Sequence, residues 1–187
     1  MHSLSSRSPD QHVGLLRQSP TAASIRSLGL GLLMALSAAG ALAAGKALSV
    51  TEKVDLAAAP AQTWEVIKDF DGWQAWHPAF VSTEITKGQG NTKGTIRVLT
   101  AKDGARFTEE LVSHNAASRT YRYRITESPL PIEGYVSTLE VKGNKDGSTI
   151  VWSSTFEVKD GTSEDEVKKA IAGVYRAGLD NLRSVVK

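Results

Sequence analysis

Between Leu48 and Leu56 apolar and polar positions alternate, with Val50, Val54 and Leu56 on one side and Ser49, Thr51, Lys53 and Asp55 on the other. Period two predicts a strand. Ala57-Ala58-Ala59-Pro60 then opens a helix, with Pro60 near its first position and Trp64, Ile67 and Lys68 at helical spacing before Phe70. Asp71-Gly72 ends that helix. A second short helical turn covers Trp73 to Trp76 and stops at His77-Pro78, because the residue before a proline is pushed out of the α region. From Phe80 to Lys159 short alternating runs are separated by turns such as Lys87-Gly88-Gln89-Gly90, Lys102-Asp103-Gly104 and Asn144-Lys145-Asp146-Gly147, the texture of an antiparallel meander. Six strands are expected there: 82–86, 94–100, 105–113, 119–127, 134–142 and 149–158.

The pattern changes again at Thr162. Thr162 or Ser163 caps a helix reaching Lys187, Glu164, Asp165 and Glu166 sit in its first turn, and Val167, Ile171, Val174, Leu179 and Leu182 form an apolar stripe. Gly173 and Gly178 interrupt this helix, which is tolerable where a bulky group must approach it. One strand, two short helices, six strands and a long helix predict an α+β fold: a curved seven-stranded antiparallel sheet around a C-terminal helix, with space between them.

Charge sharpens the division of the chain. Of 187 residues, 22 are Lys or Arg and 20 are Asp or Glu. The excess lies wholly in residues 1–43, where Arg7, Arg17 and Arg26 face only Asp10. That segment has the build of an export signal: an Arg-bearing start, an apolar run from Leu28 to Leu42, and Ala41-Leu42-Ala43 as a cleavage site. The apolar stretch of 17 residues from Ser27 to Ala43 is shorter than the roughly 20 that span a bilayer. A signal peptide over 1–43 and one domain over 44–187, periplasmic or secreted, are therefore expected. The domain carries equal numbers of acidic and basic side chains, which removes the electrostatic case for nucleic acid or an anionic membrane. It has no Cys, so packing alone must stabilise it.

Pro60-x-x-x-Trp64-x-x-Ile67-x-Asp69-Phe70, Trp76-His77-Pro78, Gly94-x-x-Arg97, Glu109-x-Leu111, Tyr121-x-Tyr123-x-Ile125, Pro129-Leu130-Pro131-x-x-x-Tyr135, Trp152-x-x-x-Phe156 and Gly178-Leu179-x-x-Leu182 follow one another in order. Together they resemble the polyketide cyclase/dehydrase and lipid-transport family of the START-like (SRPBCC), birch-pollen-allergen-like helix-grip superfamily. The resemblance spans Leu48 to Val186 and implies a cavity between sheet and helix for a small hydrophobic or amphipathic molecule. That superfamily includes lipid carriers, hormone receptors, cofactor-free cyclases and isomerases, and periplasmic accessory proteins linked to methanol oxidation. Three functions follow as expectations: a periplasmic carrier or sensor of a lipid, isoprenoid or polyketide-like molecule, a cyclase, dehydratase or isomerase, or an accessory factor for a periplasmic dehydrogenase.

Strand alternation selects the inner face. Tyr121, Tyr123 and Ile125 inward send Arg122 and Arg124 outward, and the same parity places Phe107, Glu109 and Leu111 beside Arg97 and Leu99. Arg97 and Glu109 thus become a charged pair inside an apolar interior, at positions where the resemblance puts a pocket Arg and Glu. As an enzyme, Glu109 would shuttle a proton while Arg97 holds an oxygen. As a binder, the pair orients a ligand. Tyr135, Ser137, Trp152 and Ser154 complete the expected inner wall, with Val174, Tyr175 and Gly178 on the helix opposite. Leu130, in the loop 128–134, borders the expected mouth, facing the loop 102–105. No dinucleotide motif, phosphate loop, nucleophile elbow or metal-ligand spacing occurs in the domain, so neither cofactor nor metal is expected.

Overall fold

The computed structural model describes residues 47–187. The expected export signal, 1–43, lies outside the described residues. The chain runs β1 (Leu48–Leu56), α1 (Pro60–Ile67), a 3-10 turn (Trp73–Ala75), β2 (Phe80–Lys87), β3 (Ile96–Ala101), β4 (Arg106–Asn115), β5 (Thr120–Glu127), β6 (Ile132–Asn144), β7 (Gly147–Val158) and α2 (Glu164–Val185). The seven strands form one antiparallel sheet in the order β1-β7-β6-β5-β4-β3-β2. The first strand therefore pairs with the last, and β2 forms the other edge.

Local chemistry fixes the ends of the helices. Pro60 starts α1, and the Gln62 side chain accepts a bond from the Ala59 N–H at 3.1 Å. The helix is shorter than expected, ending at Ile67, because Phe70 leaves the helical path to enter the core, where it is fully buried. The Trp73 segment makes only a 3-10 turn. Ser163 caps α2 by accepting from the Glu166 N–H, and three acidic residues fill the first turn, where the helix dipole favours them.

Shifts in register bend the sheet, at Thr108/Glu109 and Leu111/Ser113 between β4 and β5 and at Glu133/Val136 between β6 and β7. β5 and β6 pair only from Thr120↔Glu140 to Arg124↔Val136, then part. The concave face and α2 enclose a core that is unusually aromatic: Trp64, Phe70, Trp73, Trp76, Tyr121, Tyr123, Trp152, Phe156 and Tyr175 are all buried. Among the described residues no helix is long and apolar enough to cross a membrane.

Candidate functional site

Arg97 on β3 and Glu109 on β4 are directly opposed partners. Cross-strand register puts both side chains on the concave face, as alternation requires. Arg97 is fully buried and Glu109 is 3% exposed. Both Nε (2.8 Å) and Nη2 (2.6 Å) of Arg97 donate to the same carboxylate oxygen, Glu109 Oε2, while Nη1 donates to the carbonyl of Phe70. The guanidinium carbon lies 4.0 Å from the Phe70 ring centre and 3.9 Å from that of Trp73, with Tyr123 at 5.2 Å. This cation is therefore paired, hydrogen-bonded and sandwiched between aromatic faces, the conditions under which a buried charge is tolerated. Burial pushes the Glu109 carboxyl above the usual carboxylate range, and the Arg97 charge and bonds oppose that push.

Glu109 is also at the edge of a cavity between sheet and α2. The cavity has about 90 Å³ of free space at the scale of a water molecule. Trp73, Tyr123, Tyr135 and Trp152 wall it on the sheet side, and Ile171, Val174 and Tyr175 close it from α2. Phe107, Leu130 and Val174, the last 36% exposed, stand at its mouth. Outside them an apolar groove of about 340 Å³ runs along Ala79, Ala101, Lys102, Asp103 and Ala105, sharing Phe80, Phe107 and Val174 with the cavity. A second, more polar groove of about 470 Å³ occupies the gap where β5 and β6 part, and meets the cavity at Ile125 and Tyr135.

Hydroxyls form a network along one wall. The Tyr135 and Tyr175 hydroxyls are hydrogen-bonded to each other, Ser137 Oγ lies 3.5 Å from the Tyr175 hydroxyl, and Ser137 donates to the Ser153 carbonyl at 2.9 Å. Trp152 Nε1 donates to both Tyr123 (3.1 Å) and Ser137 (3.0 Å). Burial drives the phenols of Tyr123, Tyr135 and Tyr175 well above their ordinary range and that of Tyr121 up to about 12. They remain neutral and act as hydrogen-bonding groups rather than as bases.

Of the residues expected at the site, Phe107, Glu109, Tyr123, Leu130, Tyr135, Trp152, Val174 and Tyr175 line the cavity together. The others do not. Arg97 lies behind Glu109, and Leu99 and Leu111 are wholly buried core on the same strands. Tyr121 packs under α1 against Trp64 and Phe70, its hydroxyl accepting from Trp73 Nε1 at 2.9 Å. Ser137 supports the wall from behind through Trp152, and Ser154 is buried outside the lining. Gly178 faces His77 and Trp76 instead. Sequence reasoning missed Trp73 and Phe80 as lining residues, although both flank the Trp76-His77-Pro78 motif. Ile125, placed inward with Tyr123 by its parity but not expected in the lining, borders the cavity as well.

The comparisons with known proteins agree with this architecture. Protein XoxI from Bacillus cereus has 29% identity and a TM-score of 0.66, covering 75% of this chain and 94% of its own. A protein from Thermobifida fusca has 26% identity and a TM-score of 0.65, covering 74% and 92%. Ara h 8.0201, at 24% identity, shares the fold with a TM-score of 0.64, covering 75% and 98%. The family model for polyketide cyclase / dehydrase and lipid transport matches residues 47–187, the whole described domain. With its aromatic cavity gripped between sheet and terminal helix, the chain belongs to the polyketide cyclase / dehydrase and lipid transport family.

Proposed function

We propose that the protein binds a small hydrophobic or amphipathic molecule between the sheet and α2, as a carrier or sensor of a lipid, isoprenoid or polyketide-like compound. One observation carries this reading: an apolar, aromatic-walled cavity reaches the surface beside Val174 and has a buried carboxylate, Glu109, at its inner edge. Such a space, mostly apolar with few polar groups, is the usual composition of a small-molecule site. Its free volume is below the roughly 300–1,000 Å³ of drug-sized sites. A longer ligand therefore needs the side chains of Phe107 and Val174 to swing aside, which would join the cavity to the apolar groove outside. Native mass spectrometry of protein purified from its own host should show a co-purifying small molecule that dissociates on denaturation. A ligand-free protein that also takes up no apolar fluorescent probe rejects the reading.

The raised Glu109 carboxyl favours a second reading, a cofactor-free cyclase or isomerase in which Glu109 moves a proton. Turnover that is unchanged in Glu109→Gln rejects that role.

A further inference from the structure

Three segments that border the mouth of the cavity are joined through one imidazole. His77, buried just before β2, places its ring against α2. Its Nδ1 accepts from the Ala79 N–H at 3.2 Å, which leaves Nε2 as the protonated nitrogen, and Nε2 donates to the Val174 carbonyl of α2 at 3.0 Å. The line of bonds continues outward, because the Ala79 carbonyl accepts from the Lys102 N–H at 3.0 Å. It thus runs from α2 at Val174, through Ala79 beside Phe80, to the loop 102–105. Those segments border the mouth and the apolar groove outside it.

Only one protonation form of the ring fits this line. A neutral imidazole has one donor and one acceptor nitrogen, whereas the imidazolium has two donors. A proton on Nδ1 would point at the Ala79 N–H, donor against donor, while the bond to Val174 survives. The break therefore falls between His77 and the lip that carries Phe80. The surroundings oppose the charged form: the 3-10 turn presents Trp73, β2 presents Phe80, β7 presents Trp152, and α2 presents the backbone at Gly178. The charged group that acts on the ring is Arg97 of β3, and burial together with Arg97 holds the closed-state pKa down to about 4. A ring released to solvent returns to about 6.5.

Resting on the cavity-binding reading above, we propose that His77 is a proton-operated latch of the cavity mouth: neutral, it ties the Ala79–Phe80 lip and the loop 102–105 to α2, and protonated, it releases that lip and joins groove to cavity. Opening takes up a proton, so its equilibrium constant should rise by up to about tenfold for each pH unit below about 6.5 and level off near 4. Acid then speeds ligand exchange while the sheet stays folded.

Hydrogen exchange of the full chain, followed by NMR, tests the latch without any ligand. Corrected for intrinsic rates, exchange at the Ala79 and Lys102 amides should accelerate by up to about tenfold per pH unit between about 6.5 and 4, and should respond little to added urea, the mark of a local opening. The Leu139 amide, in the centre of the sheet, should exchange only with unfolding and depend steeply on urea. Release of the neutral apolar probe N-phenyl-1-naphthylamine should quicken in step with Ala79. In His77→Gln the side-chain amide can accept from Ala79 and donate to Val174 without titrating, and Glu109 is retained, so both pH dependences should vanish. Should that variant not fold, the nitrogen chemical shifts of the wild-type ring decide: they should show the Nε2–H tautomer at neutral pH and a titration that coincides with the change in exchange. Ala79 and Lys102 amides that exchange only together with Leu139, or exchange and release indifferent to pH while the ring titrates, overturn the latch and leave the cavity-binding reading intact. A probe that binds at no pH rejects that reading instead, and amide exchange still decides the latch.

Discussion

The interior differs on the two sides of the Arg97–Glu109 pair. On the side of α1 it is filled: Phe70, Trp73, Tyr121, Trp64 and His114 pack ring against ring, and Arg97 spends its donors on Glu109 and the Phe70 carbonyl. His114 completes that side by bonding the Lys68 carbonyl at 3.0 Å and stacking on Tyr121. On the side of Phe107 and Val174 the same concave face leaves space, with the Glu109 carboxylate at its edge and side chains reaching the surface. One sheet face thus serves as core at one end and as site at the other. The ion pair is the boundary, with its cation committed to the core and its anion to the cavity.

The sharpest way to break this division is to remove one partner at a time. Glu109→Leu strands a fully buried guanidinium that cannot lose its proton, and should cost about 3–5 kcal/mol in urea unfolding. Arg97→Met strands the carboxylate instead. That group borders the cavity and can take up a proton, so the loss should be smaller and should shrink further as pH falls. The double variant, with neither charge, should lie within about 1 kcal/mol of wild type. Equal, additive losses for the two single variants would show that core and cavity are not divided in this way.

The pair itself was legible in the sequence. Period-two parity on two adjacent strands placed Arg97 beside Glu109 without any structure, because register within a half-buried sheet is strongly specified. The succession of strands along the chain followed equally from turns and alternation, whereas the pairing of β1 with β7 did not. The extent of the cavity was not legible, since it depends on how large side chains from separate elements fill one volume. Trp73 shows why: from spacing alone it reads as helix-to-sheet packing, yet its ring covers Arg97 on one face and borders the cavity on another. Tyr121 and Tyr123 have the same parity, and only the position of α1 over the first decides that it is core.

His77 offers the next largest effect and lies between the two regions. Its ring stacks on Trp73 at an interplanar angle of 7°, Nε2 donates to the Val174 carbonyl of α2 at 3.0 Å, and Nδ1 accepts from the Ala79 N–H at 3.2 Å. Burial pushes its pKa down to about 4, with Arg97 adding to the shift. The unfolded chain binds the proton first, at about pH 6.5, so His77 favours folding above that pH. Its contribution should be lost progressively between about pH 6.5 and 4, amounting to roughly 2–3 kcal/mol. Glu109, raised rather than lowered, acts in the opposite sense, favouring the fold as pH falls. The curve should therefore be compared with that of His77→Gln, which should lack this loss. Identical pH profiles for the two proteins would rule out His77 as a neutral clamp.

The two glycines of α2 give the smallest test, because they separate the packed half of the helix from its solvent face. A methyl group on Gly178 would lie 2.5 Å from His77 Cδ2, 2.8 Å from Nε2 and 3.0 Å from Trp76 Cζ3. The imidazole cannot retreat, since both its nitrogens are bonded, and the Trp76 carbonyl is itself held by Asn181 Nδ2 at 2.8 Å. Gly178→Ala should then lower stability by about 1–3 kcal/mol through overpacking, despite the gain in helix propensity. Gly173 has nothing within 4 Å of the same added group and faces solvent. Its replacement by Ala only removes backbone freedom from the unfolded chain, and should raise stability by up to about 1 kcal/mol. The expectation that helical glycines admit a bulky neighbour thus applies to one of the pair. Thermal unfolding of the two variants should shift in opposite directions, and a gain at Gly178 would mean that the Trp76-His77-Pro78 segment does not grip this helix.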